Sequence, residues 1–119
     1  MKKINEIEAV LDNYTAEQES GISHLLVKCY RNTQEAENEF LDISEIIWEH
    51  DYDDLVRDLR RFNISEFTVS TTFSGMLNAV NALLERGCTL EGMTKVKDRF
   101  PSWTDGEREI HPALLIRTN

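Results

Sequence analysis

The stretch TVSTTFSGMLNAVNALLERG, residues 68–87, decides the fold, because a strand pattern gives way to a helix pattern inside it. Phe67 and Val69 alternate with polar residues, a period of two that is typical of a strand. From Phe73 the apolar residues recur at spacings of three and four, which predicts a helix, and Gly87 stands where a left-handed C-cap would end it. The predicted apolar face contains Phe73, Met76, Leu77, Val80, Leu83 and Leu84.

Two more strands are predicted downstream of this helix. The first covers residues 90–96, with Gly92 at a bulge. Residues 101–106 carry the turn residues of a hairpin loop, and residues 109–117 form the last strand. Pro112 lacks an amide donor, so we expect its end of that strand at a sheet edge.

Upstream of Asn63 the apolar spacing is helical. The stripes are Ile4, Ile7, Val10, Leu11 and Tyr14, then Ile22, Leu25, Leu26, Cys29 and Tyr30, then Phe40, Ile43 and Ile47, then Leu55, Val56, Leu59 and Phe62. Whether the second and third helices are continuous stays open. The sequence therefore predicts one α+β domain over residues 1–119. Three or four helices in residues 1–63 would pack with a β-α-β-β unit in residues 64–119 that forms a small, mostly antiparallel sheet.

Composition narrows the functional classes. The longest apolar run, residues 113–116, is too short to cross a membrane, and the N-terminus lacks the apolar core of a secretion signal. The two cysteines, Cys29 and Cys88, are far apart and form no metal-binding pattern. We therefore expect a cytoplasmic protein without membrane contacts.

The net charge of −9 is unevenly distributed. Residues 1–65 carry 15 acidic and 7 basic residues, whereas residues 66–119 carry 7 and 6. This field repels phosphates, so direct binding of nucleic acid is disfavoured. The one basic cluster is interpreted as ion pairing within a helix, because its arginines lie within helical reach of aspartates. That cluster consists of Arg57, Arg60 and Arg61, near Asp53, Asp54 and Asp58.

One row of acids suggests a docking surface. Its members recur at spacings of three and four, which would place them on one side of a helix. They are Glu35, Glu39, Asp42, Glu45 and Glu49. The row would bind an unknown, basic protein partner or mimic the phosphates of a nucleic acid, and the alternative is a merely solvated face.

The hydroxyl-rich turn before the central helix is the second candidate site. The predicted helix has no acidic residue in its first turn, so its positive end is free to hold an anion. The candidate anion-binding residues are Ser70, Thr71, Thr72, Ser74 and Gly75. The simpler expectation is that Thr71 or Thr72 caps the helix, and no phosphate-binding glycine motif is present.

The sequence gives little support for a metal site or for catalysis. The segment WEHDYDD, residues 48–54, has metal-capable residues but lacks the spacing of a calcium loop or a helical di-metal site. His24 and His111 have no partner that the sequence reveals, and no serine has a nucleophile-elbow motif around it. We therefore predict no metal, no cofactor and no catalytic residue.

Part of the chain resembles a known group of proteins. The runs FTVSTTFSGMLNAVNALLERGCTLEGMTKVK and WTDGEREIHPALLIRTN are similar to small uncharacterised proteins of Firmicutes plasmids, phages and conjugative elements. Gly87, Leu90 and Gly92 match the motif G-C/Y-x-L-x-G-L, and Gly106 with Glu107 matches a T-G-E hairpin. Met93 and Asp105 depart from those motifs. The resemblance covers under half of the chain, implies a bacterial mobile-element setting and carries over no catalytic residue.

The leading functional prediction is a non-enzymatic interaction module, accessory or inhibitory, that uses the acidic helical face. The alternative is a domain that binds a small anion or a nucleotide at residues 70–75, with or without enzymatic activity.

Overall fold

The structure is a computed structural model that describes residues 23–44, 51–98 and 106–119 and places Glu6 in a helix. Its helices are α1 (His24–Glu35), α2 (Asp51–Arg61) and α3 (Met76–Glu85), and its strands are β1 (Glu66–Ser70), β2 (Thr89–Lys97) and β3 (Ile110–Arg117). Most of the stripe from Ile4 to Tyr14, the Ile47 end of the third stripe and the loop at 101–105 lie outside the described residues.

The three strands form an antiparallel sheet in the order β1-β3-β2. Leu114 at the centre of β3 pairs with Val69 on one side and with Met93 on the other. The two outer strands therefore run in the same direction, and α3 connects them across the central strand. This arrangement confirms the predicted mixture of helices with a small antiparallel sheet.

Pro112 lies in the central strand, at an end that extends past β1. The pairing of β1 with β3 covers residues 113–117, so the missing amide donor of Pro112 interrupts no bond to β1. Its carbonyl oxygen instead accepts from the amide and the hydroxyl of Thr71, at 3.0 and 2.6 Å. The predicted bulge is confirmed by a register shift between Leu90 and Gly92.

The three described helices and the sheet enclose the apolar core. Leu26 of α1, Leu55 and Leu59 of α2, Phe67 of β1 and Ile116 of β3 are fully buried. Burial of a side chain of this size contributes about 1.5–3 kcal/mol. The core therefore depends on pairing the helices before Asn63 with the sheet after it.

A buried carboxylate, that of Asp58, joins α1 to α2. Asp58 is completely buried and accepts from the guanidinium groups of Arg57 and Arg61, at 3.0 and 2.9 Å. Its second oxygen accepts from the amide of Ser23 at 2.7 Å, directly before α1. A buried carboxylate is costly unless it is paired, so this network holds the start of α1 against α2. The pairing of Arg57 and Arg61 within their own helix agrees with the sequence prediction.

The buried face of α3 differs from the predicted one. The helix begins at Met76 rather than Phe73, and its buried residues are Ala79, Ala82 and Leu83. Leu77 is 78% exposed and Leu84 is 42% exposed, so both were wrongly placed on the core face. Seven of the ten residues of α3 are apolar, so the spacing alone is compatible with more than one face. The small alanines allow the helix to pack close to its neighbours on one face, and that face is the buried one.

The third predicted helix is wrong for residues 40–44. Helix α1 ends at Glu35, and residues 41–43 run parallel to β1 instead. The amide of Thr68 donates to the oxygen of Leu41 at 3.0 Å, and the amide of Ile43 donates to the oxygen of Thr68 at 2.7 Å. Leu41 and Ile43 are both buried, which is the period of two of an extended segment. The predicted stripe of Phe40, Ile43 and Ile47 has the wider spacing of a helix, and that spacing concealed this period.

The orientation of α3 gives a matched test. We expect Leu83→Ala to lower the free energy of unfolding by about 2–5 kcal/mol, because the leucine is fully buried. The same change at the exposed Leu77 is expected to cost less than about 0.5 kcal/mol. Urea denaturation of both variants measures the difference, and equal losses would contradict this orientation.

Candidate functional site

A polar cavity of about 240 Å³ lies where the end of α1, residues 42–44, the β1–α3 turn and the end of β2 meet. We call it the Asp42 cavity. Its polar lining residues are Asn32, Thr33, Asn38, Asp42, Ser44, Ser70, Thr72, Lys97 and Asp98, and Ala36, Phe73 and Val96 complete the wall. Residues from both predicted sites therefore line one cavity.

The carboxylate of Asp42 is the most unusual group in this cavity. The hydroxyl of Thr68 donates to it at 2.6 Å, and the side chain of Ser44 also hydrogen-bonds to it. Burial raises the pKa of Asp42 above the usual 3.8, and these two hydrogen bonds offset only part of the rise. The ionised form is therefore poorly solvated, and a hydrogen-bond donor that reached this carboxylate would stabilise it.

Thr33 and Asn38 hold the α1 side of the cavity. The buried hydroxyl of Thr33 donates to the oxygen of Cys29 at 2.7 Å and accepts from the amide of Asp42 at 3.1 Å. The side-chain amide of Asn38 donates to the oxygen of Lys97 at 3.1 Å and accepts from its amide at 2.9 Å. These bonds fix both the Asp42 backbone and the end of β2 relative to α1.

The hydroxyl-rich turn does not cap α3. The hydroxyl of Ser70 accepts from the amide of Thr72 at 3.2 Å and lies 2.8 Å from the Thr72 hydroxyl. Thr71 donates to Pro112, which ties the turn to β3. The N-cap is Gly75, which has no side chain to accept an amide bond, so the capping prediction is wrong. The helix begins too late along the chain for these hydroxyls to reach its first turn.

The five predicted anion-binding residues have different roles in the structure. Ser70 and Thr72 line the Asp42 cavity, whereas Thr71 is bonded to Pro112. Ser74 is exposed. At Gly75 a Cβ atom would lie 2.9 Å from Cζ of Phe73, so the glycine leaves room for that ring rather than for an anion. The carboxylates of Asp42 and Asp98 in the same cavity would repel an anion.

The five predicted partner-binding acids do not share one helix side. Glu35 is the last residue of α1, Glu39 is exposed in a bend, and Asp42 lies beside β1. Glu45 and Glu49 lie outside the described residues. The predicted row required a helix through residue 42, and the pairing of residues 41–43 with Thr68 excludes that helix.

A second cluster lies next to the cavity and was missed from the sequence. Nε2 of His111 is 2.9 Å from a carboxylate oxygen of Asp98 and 3.7 Å from one of Glu109. These residues are brought together by the β2–β3 pairing, in which Val96 faces His111. Among the residues that the structure describes, this is a group whose donors are spaced closely enough to hold a metal ion. Pairing the two predicted strands in this register would have revealed it.

The three aspartates of the segment at 48–54 are used for structure. Asp51, Asp53 and Asp54 lie in the first turn of α2, where negative charge stabilises a helix. Asp53 pairs with Arg86 at 2.7 Å and Asp54 with Arg57 at 3.2 Å. His50 lies outside the described residues.

A family of domains of unknown function, DUF7698, matches residues 25–118. The chain belongs to the DUF7698 family. The matched range contains every residue that lines the Asp42 cavity and all three residues of the His111 cluster. No curated protein and no solved structure matches this DUF7698 chain.

No helix within the described part of the DUF7698 chain combines the length and the apolarity needed to pass through a membrane.

The raised pKa of Asp42 predicts a pH dependence of stability. The folded state binds this proton more tightly than the unfolded state, so the protonated carboxyl contributes stability at low pH. That contribution is lost as pH rises above 3.8 and through the raised pKa. Asp42→Asn keeps an oxygen for Thr68 and removes the ionisation. We therefore expect the wild type to lose stability relative to this variant between pH 3 and pH 7, in urea denaturation at a series of pH values.

The opposite trend, a gain of the wild type over Asp42→Asn as pH rises, would contradict the burial of this carboxylate. Other titrating groups are common to both proteins, so their effects cancel in the comparison.

Proposed function

We propose that the DUF7698 chain binds a small polar molecule in the Asp42 cavity, through a cationic or hydrogen-bond-donating group directed at Asp42. The observation that carries the proposal is a carboxylate with a raised pKa in the wall of a cavity lined by hydroxyl and amide groups. Small-molecule sites combine a concave surface with a few convergent polar groups and a perturbed titratable residue.

The volume of the cavity limits the size of the ligand. Typical small-molecule sites have volumes of about 300–1,000 Å³, and this cavity of about 240 Å³ is just below that range. A nucleotide would be too large to enter it completely, so a compact amine, guanidine or amide fits better.

The charge of the cavity decides the chemistry of the ligand. The residues that line the cavity include two acids, Asp42 and Asp98, and one base, Lys97. A hydrogen bond to a charged group is worth about 1.5–3 kcal/mol, so a cationic donor would gain most by reaching Asp42. The predicted anion or nucleotide ligand is the weaker proposal, because the hydroxyls of Ser70 and Thr72 share the cavity with carboxylates.

The proposal is for binding and not for catalysis. Among the described residues that line the cavity there is no histidine or cysteine beside a hydroxyl. A hydroxyl nucleophile requires an adjacent base to remove its proton. Asp42 accepts hydrogen bonds from Thr68 and Ser44, and these bonds orient its carboxylate.

A second candidate function is protein interaction, which was the leading prediction from the sequence. It is favoured by the exposure of apolar side chains on α3 and on the outer strand β2: Leu77 by 78%, Met93 by 59% and Leu90 by 51%. Exposed apolar patches often mark protein contacts. The proposed basic partner of Glu35 and Glu39 is a separate hypothesis, and Glu39 is exposed for it.

For the biological setting we propose the bacterial cytoplasm and a mobile genetic element. This proposal is supported by the similarity of residues 67–97 and 103–119 to proteins of plasmids, phages and conjugative elements.

The ligand proposal can be tested by NMR titration of the ¹⁵N-labelled protein. The probes are agmatine, a small amine and guanidine compound, and inorganic phosphate. We expect agmatine to shift the amides of Asp42, Ser44 and Ser70 in a saturable way and phosphate to leave them unchanged. Asp42→Asn should weaken agmatine binding at least tenfold, since it removes a charged hydrogen bond. Glu39→Gln has the same charge change outside the cavity and should bind as the wild type does.

Absence of saturable shifts with both probes would contradict the ligand proposal and favour the protein-interaction function. Saturable shifts with phosphate alone would favour the anion alternative.

A further inference from the structure

The end of the β2–β3 pair brings three metal-binding side chains together. Val96 pairs with His111 and Lys97 pairs with Ile110, and the amide of Asp98 donates to the oxygen of Glu109 at 2.8 Å. These backbone bonds place Asp98, Glu109 and His111 side by side at the end of a regular strand pair. Their donor atoms all lie within 4.8 Å of one another. His111 lies in β3, and Asp98 and Glu109 directly adjoin the ends of β2 and β3.

The charges of the cluster favour the binding of a cation. The imidazole of His111 is mostly buried, with Nε2 2.9 Å from Asp98 and 3.7 Å from Glu109. A single N–H at Nε2 can satisfy only one carboxylate well at a time. Two carboxylates beside one imidazole leave an excess of negative charge, which a divalent cation would balance.

We propose that Asp98, Glu109 and His111 bind a divalent transition-metal cation, of which Zn²⁺ is the best match. Ligand atoms about 2.0–2.1 Å from a tetrahedral zinc lie roughly 3.3–3.4 Å apart. The two distances from Nε2, 2.9 and 3.7 Å, bracket that separation, and all three ligand atoms lie within 4.8 Å of one another. The nitrogen donor favours zinc over magnesium or calcium, which prefer oxygen ligands.

A metal ion at this site would accept a further ligand. Asp98 also lines the Asp42 cavity, so the proposed metal site adjoins that cavity. Three protein ligands leave one position of a tetrahedral zinc for water or for another small ligand. The metal site does not depend on the proposed function, because neither Glu109 nor His111 lines the cavity.

Isothermal titration calorimetry with zinc chloride tests this proposal. We expect one saturable site in the wild type and binding at least tenfold weaker in His111→Gln and in Glu109→Gln. The chain has two other histidines, at 24 and 50, and the double variant His24→Gln, His50→Gln should bind as the wild type does. Magnesium chloride is the control metal and should give no saturable binding in the same concentration range.

The imidazole signals in NMR spectra provide a second readout. Zinc should shift the ring signals of His111 before those of the other two histidines. Glu109 is largely exposed, so Glu109→Gln should keep the fold even if His111→Gln does not. Circular dichroism of each variant verifies this.

Two results would overturn the proposal. The first is the absence of saturable zinc binding at millimolar concentrations. The second is equal affinity in the wild type, His111→Gln and Glu109→Gln, or a loss that occurs only in the His24→Gln, His50→Gln variant. That second result would mean adventitious binding elsewhere on the chain.

Discussion

The fold and its candidate site both depend on the hydrogen bonds of Thr68 in β1. Its amide and its carbonyl oxygen pair with the backbone of residues 41 and 43, and its hydroxyl donates to Asp42 at 2.6 Å. The residue is buried, so each of these polar groups would be costly if it were left unpaired. The same contacts place Leu41 and Ile43 in the apolar core and Asp42 at the cavity. One residue therefore couples the packing of the core to the position of the unusual carboxylate.

The cavity forms where polar groups at the ends of several elements meet. Helix α1 contributes Thr33, which bonds to Asp42 beside β1, and Asn38, just past its end, bonds to Lys97 at the end of β2. The turn after β1 is held to β3 by Thr71 and to residue 44 by the amide of Ser70, which donates to Ser44 at 3.0 Å. Because these groups pair with one another, hydrogen bonds hold the ends of the elements together, and a polar space is left between them.

Features that depend on neighbouring residues could be predicted from the sequence. The order of strand and helix from Glu66 onward, the bulge near Gly92 and the end of α3 at Gly87 follow from local alternation, spacing and turn chemistry. The buried face of α3 could not be predicted, because apolar residues surround most of that helix. Ser70, Thr72 and Asp42 were each recognised, but they were assigned to two separate sites. The bond between Thr68 and Asp42 spans 26 residues, and no local pattern indicates such a contact. The cluster at His111 was missed for the same reason.

The central claim is that residues 41–43 lie beside β1 and position Asp42. Amide hydrogen exchange measured by NMR tests it most directly, since the amides of Thr68 and Ile43 are bonded only if that pairing exists. The account predicts slow exchange at both amides, together with close contacts between the backbone protons of residues 42 and 68. Fast exchange at Thr68, combined with the sequential contacts of a helix through residues 40–44, would contradict it.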